Sequence, residues 1–131
     1  MDTTSFEISN NDNLITAQSY YNAMLRKDFD KMANYLCENV YFLSPLAEMY
    51  GKDSVVLAAK NLSEMLQDIQ IRSRFANQNQ IMFAYDFIFP NPIGKLRASV
   101  LMEFNDKCIS KIELFYDGRP FEQKRNEIFR E

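Results

Sequence analysis

The sequence predicts a single α+β domain in which helices come first and an antiparallel meander of strands follows. Apolar residues recur at helical spacing in the first half of the chain, and from Ile71 onward the pattern changes to that of strands. The chain has 131 residues, of which 47% are hydrophobic and 25% charged, as in one globular unit. We therefore predict one domain over residues 1–131, with a polar leader at 1–12 and a charged tail at 122–131.

Two helices are predicted near the start. An apolar stripe extends from Leu14 to Leu25, and the residues just before it are candidate N-terminal caps: Asn11, Asp12 and Asn13. A second, shorter stripe extends over residues 29–36 after Asp28, and Asp30 favours the positive end of that helix. The two segments are predicted to form a helical hairpin.

The third predicted helix has the clearest pattern. Gly51 and Asp53 open it, and an apolar stripe continues over residues 55–69. The segment before it, which contains Glu48 and Tyr50, is predicted to be a solvated loop.

Five strands are predicted from β-branched and aromatic runs separated by turn residues. Pro45 stops the first of them, because proline has no backbone N–H to donate to a sheet. The predicted strands span residues 40–43, 71–75, 80–89, 95–104 and 109–116.

Side-chain alternation then predicts the two faces of the sheet. Placing Phe89 opposite Leu96 and Phe104 opposite Ser110 brings the apolar residues of neighbouring strands to one face. The predicted inner face contains Ile81, Phe83, Tyr85, Phe87, Phe89, Leu96, Ala98, Val100, Met102, Phe104, Ile112 and Leu114.

The predicted outer face is mixed. Glu103 lies opposite Lys111 on it, as favourable cross-strand charges do. Asp86 and Arg97 are expected to form an ion pair on this face. Because Leu101 and its neighbours are too apolar for bare solvent, we predict that the outer face is a homodimer interface.

Composition excludes several classes of function. Histidine is absent, which removes histidine-based nucleophile systems and imidazole metal sites. The net charge of −3 argues against a nucleic-acid partner. The three glycines form no phosphate-binding loop, and no apolar run reaches membrane-spanning length. We expect no cofactor, no metal and no membrane or nucleic-acid partner.

The two cysteines are distant in sequence and form no CxxC pair. Cys37 and Cys108 are therefore predicted to be small buried hydrophobic residues, with no disulfide framework. The N-terminal residues 1–13 carry acidic side chains and no signal-peptide pattern. Both observations favour a location in the reducing cytoplasm.

Three motifs, in this order and spacing, resemble the nuclear transport factor 2-like superfamily, in particular its bacterial SnoaL-like and ketosteroid-isomerase-like group. The resemblance implies a cone-shaped, curved antiparallel or mixed sheet wrapped around three N-terminal helices, with an apolar cavity opening near the first helix. The motifs are Tyr20-Tyr21-Asn22-Ala23 with Asp28-Phe29-Asp30, Gly51-Lys52-Asp53-Ser54-Val55, and Phe115-Tyr116-Asp117 with Arg119-Pro120-Phe121.

The resemblance also implies where catalytic groups would lie. The oxyanion-hole tyrosine of ketosteroid isomerases matches Tyr20, but the base position falls on Ser44 and the acid position near Val100. Two of the three catalytic groups are therefore replaced, and serine cannot abstract a carbon-bound proton without its own base. The Asp–Arg–Asp site of related epoxide hydrolases could involve only Asp86 and Arg97, which the predicted register places on the outer face.

Three hypotheses on function remain. The first is binding of a small apolar molecule, possibly cyclic, in an aromatic-lined pocket. The second is a SnoaL-like isomerase, cyclase or hydratase with Tyr20 as hydrogen-bond donor and catalytic residue. The third is a dimeric interaction module without turnover. The predicted ligand-binding residues are Tyr20, Ser44, Phe83, Tyr85, Val100, Met102, Ile112, Leu114 and Tyr116.

Overall fold

A computed structural model describes the backbone of residues 3–124 and the side chains of residues 12–121. Three helices cover one face of a curved, open, six-stranded sheet, which confirms the predicted α+β fold class. The elements in chain order are α1 (Thr3–Leu25), α2 (Phe29–Asn34), β1 (Leu36–Leu43), β2 (Glu48–Tyr50), α3 (Lys52–Ser63), β3 (Asp68–Ala76), β4 (Gln80–Ile88), β5 (Lys95–Asn105), β6 (Cys108–Tyr116) and a 3₁₀ helix (Arg119–Lys124).

The sheet has the strand order β2-β1-β6-β5-β4-β3. All neighbouring strands are antiparallel except β1 and β6, which are parallel. The meander β3 to β6 is therefore extended at one side by the early strands β1 and β2. No helix in the described part of the chain is long and apolar enough to cross a membrane.

The first helix begins well before the predicted caps. It starts at Thr3, so Asn11, Asp12 and Asn13 lie inside it. An Asn or Asp inside a helix destabilises it by only about 0.7 kcal/mol relative to Ala. This is too little to end a helix whose later turns are stabilised by packing against the rest of the protein. The predicted polar leader is thus mostly helical in its backbone.

The other two helices end earlier than their apolar patterns. Asp28 caps α2 as the sequence suggests, since its side chain accepts a hydrogen bond from the Lys31 backbone N–H at 3.2 Å. Leu36 already belongs to β1, and α3 ends at Ser63, whose hydroxyl donates to the Lys60 carbonyl at 2.7 Å. Ile69 lies on β3 opposite Phe87, so pairing in the sheet overrides the helical spacing.

The segment with Glu48 and Tyr50, predicted as a loop, forms the short strand β2. Tyr50 is the cross-strand partner of Tyr41, and their rings stack with centroids 4.7 Å apart. An aromatic pair of this kind stabilises strand pairing. A three-residue strand is too short for the period-two pattern to reveal it.

The two faces of β4 and β5 are those predicted. From Leu96 to Phe104 the even-numbered residues are all buried and their odd-numbered neighbours are not. Val100 pairs with Leu114 and Met102 with Ile112, as predicted. Lys111 Nζ lies 3.7 Å from Glu103 Oε2, which confirms the predicted charge pair.

The predicted pairing of Phe89 with Leu96 is wrong by two residues. Phe87 is the partner of Leu96, and the Phe89 N–H instead closes the connecting loop by donating to the Gly94 carbonyl at 2.9 Å. Because proline has no backbone N–H, Pro90 could not have donated a hydrogen bond to extend the pairing of β4 with β5. Since side chains alternate with period two, this shift leaves every residue on its predicted face. At the other turn, a bulge pairs Phe104 with Ile109 in place of Ser110.

The prediction for the cysteines is also wrong, because Cys37 and Cys108 form a disulfide. The parallel pairing of β1 with β6 brings together two residues separated by 71 positions, with their Cα atoms 5.1 Å apart. No local pattern reveals such a pair. The cysteines therefore give no support to a reducing compartment.

We predict that the double variant Cys37→Ser/Cys108→Ser has a free energy of unfolding about 4 kcal/mol lower than that of the oxidised wild type. A crosslink that closes a loop of this length restricts the unfolded chain by roughly that amount. Urea denaturation followed by circular dichroism measures the difference, and the variant itself should not respond to dithiothreitol. Equal stabilities of the oxidised wild type and the variant would contradict the crosslink.

Candidate functional site

An apolar cavity lies between α1, α3 and the concave face of the sheet. Its empty volume is about 650 Å³, including the part at its mouth that is open to solvent. Helix α1 provides one wall, α3 a second, and strands β1, β4, β5 and β6 the floor. The lining residues are Tyr20, Tyr21, Met24, Phe42, Val55, Ala58, Ala59, Leu62, Phe87, Phe89, Leu96, Ile112, Leu114, Tyr116 and Phe121.

Among the described lining residues, only Tyr20, Tyr21 and Tyr116 carry a polar side-chain group, in each case a hydroxyl. None of the described lining residues is Asp, Glu, Lys or Arg. A charged group moved from water into such surroundings loses its hydration without gaining a partner, which costs several kcal/mol or more. The cavity therefore favours uncharged molecules.

Tyr21 directs its hydroxyl to a protein partner. The Tyr21 and Tyr85 hydroxyl oxygens are 2.7 Å apart, and both side chains are buried. Burial raises the pKa of both phenols well above the usual range. The pair therefore remains neutral, and one hydroxyl donates to the other.

Tyr20 differs from its neighbour in this respect. Only 2% of the residue is exposed, and within the described part of the chain its hydroxyl makes no hydrogen bond. Its ring packs edge-on against Tyr21 with centroids 5.1 Å apart. Burial alone raises the pKa of the Tyr20 phenol, so it carries a proton and can donate it in a hydrogen bond. Tyr20, which the sequence predicts as a ligand-binding residue, is as buried as Tyr21.

Tyr116 is a partly buried tyrosine at the end of β6. Burial raises the pKa of its phenol, and a hydrogen bond with the Ser44 side chain acts in the opposite direction. Ser44 itself belongs to a turn, in which its Oγ accepts from the Ala47 N–H at 3.2 Å. The position that matches a catalytic base is thus occupied by a turn serine that contacts one wall residue.

The chain after Tyr116 closes one side of the cavity. Asp117 holds Arg119 through two carboxylate oxygens, with Nη2 and Oδ2 2.6 Å apart, and this pairing lowers the pKa of Asp117 to about 2. Gly118 packs closely on Leu46, so an added Cβ would lie 3.1 Å from that side chain. The turn returns Phe121 to the interior, where it is 3% exposed and lines the cavity.

The structure brings together only part of the predicted ligand-binding set. Tyr20, Ile112, Leu114 and Tyr116 line the cavity. The other inner-face residues are fully buried on β4 and β5, where the Tyr21 ring of α1 packs against Phe83 and Tyr85. These residues, which do not line this cavity, are Phe83, Tyr85, Val100 and Met102.

Several lining residues were not in the predicted site. Phe87, Phe89 and Leu96 belong to the predicted inner face, and Val55 to Leu62 to the predicted stripe of α3, so the pattern contained a signal for them. What it lacked was the location of the cavity along the strands. Phe121 had no such signal, because it reaches the cavity only through the turn after Tyr116.

The predicted Asp86–Arg97 ion pair is not the one observed. Asp86 is 5% exposed and accepts from Arg72 Nε at 3.1 Å, although Arg97 is its backbone partner on β5. A bulge between Ile71 and Ser73 puts one extra residue, Arg72, on β3 and lets it reach the carboxylate. The carboxylate lies on the outer face, away from the cavity.

Solved structures share this arrangement of helices and sheet. An NTF2-like protein from Burkholderia xenovorans LB400 superimposes with a TM-score of 0.73 at 13% identity, covering 90% of this chain and 98% of that one. The chain has the NTF2-like fold. This finding confirms, at the level of fold, the resemblance to the nuclear transport factor 2-like superfamily.

Two other solved structures have a similar arrangement of helices and sheet. A protein of known function from Kribbella flavida DSM 17836 has a TM-score of 0.78 at 24% identity, covering 86% of this chain and 93% of that one. An LEH-like epoxide hydrolase from M. tuberculosis has a TM-score of 0.73 at 13% identity, covering 92% of each. No protein-family model and no curated protein matches the chain.

We predict opposite effects of removing the two neighbouring hydroxyls of this NTF2-like chain. Tyr21→Phe leaves the buried Tyr85 hydroxyl without its partner, so it should lower the free energy of unfolding by about 1–3 kcal/mol. Tyr20→Phe removes a buried hydroxyl that has no partner, so stability should stay equal or rise. Urea denaturation compares the two variants. A loss for Tyr20→Phe as large as that for Tyr21→Phe would show that the Tyr20 hydroxyl is already paired.

Proposed function

We propose that the protein binds a small, uncharged, apolar molecule that carries one hydrogen-bond acceptor, and that Tyr20 donates to that acceptor. The observation that carries this proposal is that Tyr20 lines an apolar cavity and that its buried hydroxyl has no hydrogen-bond partner within the described part of the chain. A buried polar group left unsatisfied costs about 1–3 kcal/mol. A ligand acceptor that meets this hydroxyl recovers that free energy, so the hydroxyl selects for ligands that have one.

The shape of the lining supports a flat or cyclic ligand. Aromatic rings contribute much of the surface, among them Phe42, Phe87, Phe89 and Phe121. Rings pack well against other rings and against flat hydrocarbon surfaces. The partly buried Tyr116 provides a second hydroxyl, which interacts with the Ser44 side chain.

Binding is proposed in preference to turnover as an isomerase, cyclase or hydratase. Such reactions need a group that accepts a proton from carbon or from water. The described lining contains no carboxylate, and its buried tyrosines hold their protons. The Tyr20 hydroxyl could polarise a carbonyl, but no lining side chain supplies the base that would complete the reaction.

We expect acetophenone and α-methylstyrene, which have the same heavy-atom skeleton with C=O in one and C=CH2 in the other, to separate the contribution of the Tyr20 hydroxyl. For each protein, the affinity for acetophenone is divided by the affinity for the hydrocarbon. This ratio should be about ten times larger for the wild type than for Tyr20→Phe, since one buried hydrogen bond is worth about 1.4 kcal/mol. Isothermal titration calorimetry measures the four affinities, and the cycle cancels the difference in hydrophobicity between the probes.

Tyr116→Phe is the matched control, because it removes a lining hydroxyl that already contacts Ser44. Its affinity ratio should stay near that of the wild type. An identical ratio in the wild type and Tyr20→Phe would remove the role assigned to Tyr20, and absence of binding by either probe would contradict the proposed function.

We further propose that the outer face of the sheet pairs with a second copy of the chain. Phe75, Met82 and Phe115 on this face are 63%, 37% and 44% exposed, and Phe75 and Met82 are direct cross-strand partners. Leu101 is the next partner of Met82 across the sheet. An apolar strip of this kind, flanked by charged residues, is typical of a protein interface.

We predict that Leu101→Glu converts a dimer to a monomer in size-exclusion chromatography with light scattering. A carboxylate at the centre of an apolar contact is desolvated without a partner, which costs several kcal/mol. Ile15→Glu is the control, since Ile15 is 62% exposed on α1 and not on the sheet. A wild-type monomer, or a Leu101→Glu dimer, would exclude this interface.

A further inference from the structure

The Cys37–Cys108 disulfide joins β1 to β6 at the point where their pairing is interrupted. Leu36 pairs with Ile109, but the next paired residues are Tyr41 and Lys111. Between these two pairings β1 advances by five residues and β6 by only two, so β1 contains three extra residues in this segment. The crosslink lies at the beginning of this interruption, where the backbone ladder gives the two strands the least support.

The strands that the disulfide joins continue directly into the cavity. Phe42 follows on β1, and Ile112 and Leu114 follow on β6, and all three side chains line the cavity. Phe42 and Ile112 are direct partners in the parallel ladder after the interruption. Their relative position therefore depends on the register that β1 keeps against β6.

The same part of β1 supports the opposite wall. The Gly51 N–H, at the beginning of α3, donates to the Val40 carbonyl at 2.8 Å. Val55 and Ala59 on α3 face the cavity from that side. A shift of the interrupted segment of β1 would thus move residues on both walls.

The two cysteine residues differ in exposure. Cys37 is buried, with 8% of the residue exposed, whereas Cys108 is only partly buried, directly after the turn between β5 and β6. Thiol–disulfide exchange requires a thiolate to approach one sulfur in line with the bond. Cys108 is the sulfur open to such an attack.

We propose that the Cys37–Cys108 pair is a redox-controlled lock on the cavity: the disulfide holds the two walls in the binding arrangement, and reduction by a dithiol releases them. One thiolate of the dithiol attacks Cys108 Sγ, and the Cys37 thiolate leaves and takes up a proton. The second thiol of the reductant then attacks the mixed disulfide and releases Cys108 as a thiol. The protein gains two electrons and two protons, and the dithiol becomes a disulfide.

Amide hydrogen exchange measured by NMR tests the lock directly. In the wild type, adding dithiothreitol should accelerate exchange at Phe42, Ile112 and Leu114 about tenfold more than at Phe83 and Tyr85 on β4. A crosslink that acts only on the unfolded chain would accelerate all globally protected amides by the same factor. An equal rise at both sets, no rise, or complete loss of protection would overturn the proposal.

Ligand affinity provides the second measurement, and this arm alone rests on the proposed function. The affinity for acetophenone should fall about tenfold when the wild type is reduced, and Cys37→Ser/Cys108→Ser should show the lower affinity with or without dithiothreitol. Unchanged affinity of a reduced, folded protein would overturn the lock. If the oxidised protein does not bind the probe, the proposed function is wrong, while the hydrogen-exchange result still decides whether the lock exists.

Discussion

The concave face of the sheet is the constraint on which the rest of the structure depends. Strands β4, β5 and β6 place most of their large apolar side chains on one side, and this surface must be removed from water. Burying each large side chain stabilises the fold by about 1.5–3 kcal/mol. Helices α1 and α3 cover the surface, and their side chains meet it closely along part of its length only. The cavity is the part that the helices do not fill.

In an apolar interior of this kind, a buried hydroxyl without a hydrogen-bond partner costs free energy, so the partner of each hydroxyl matters for stability. The Tyr21 and Tyr85 hydroxyls satisfy each other across the gap between α1 and β4, and so join the helix to the sheet. Tyr20, the preceding residue on α1, has no such strand partner. Adjacent helix residues point in directions about 100° apart, so the Tyr21 hydroxyl reaches Tyr85 on β4 and the Tyr20 hydroxyl does not, although both residues line the cavity. A structural and a recognition role can therefore lie side by side on one helix.

The sequence predicts the faces of the sheet better than it predicts the partners. Alternation identifies which residues of β5 are buried, and the charges of Glu103 and Lys111 fix the β5–β6 register. The β4–β5 register is missed by two residues because such a shift keeps all faces unchanged. The Cys37–Cys108 pair and the Asp86–Arg72 pair depend on a parallel pairing and on a bulge, which no local pattern encodes. The cavity could be assigned to the inner face, but its location along that face depends on how the helices pack.

The chemistry that the cavity can perform follows from which of its groups hold protons. Burial raises the pKa of the Tyr20 and Tyr21 phenols, so at neutral pH both are donors or paired hydroxyls and neither is a base. Ser44, which the sequence resemblance to ketosteroid isomerases aligns with their catalytic base, is held in a turn with Ala47. The buried carboxylate of Asp86 lies on the other side of the sheet, bound to Arg72. Among the described lining residues, the tyrosine hydroxyls are protonated and can donate to a carbonyl, and none of these residues is a carboxylate. This composition of the described lining is the reason why we propose that the chain holds a ligand rather than converts one.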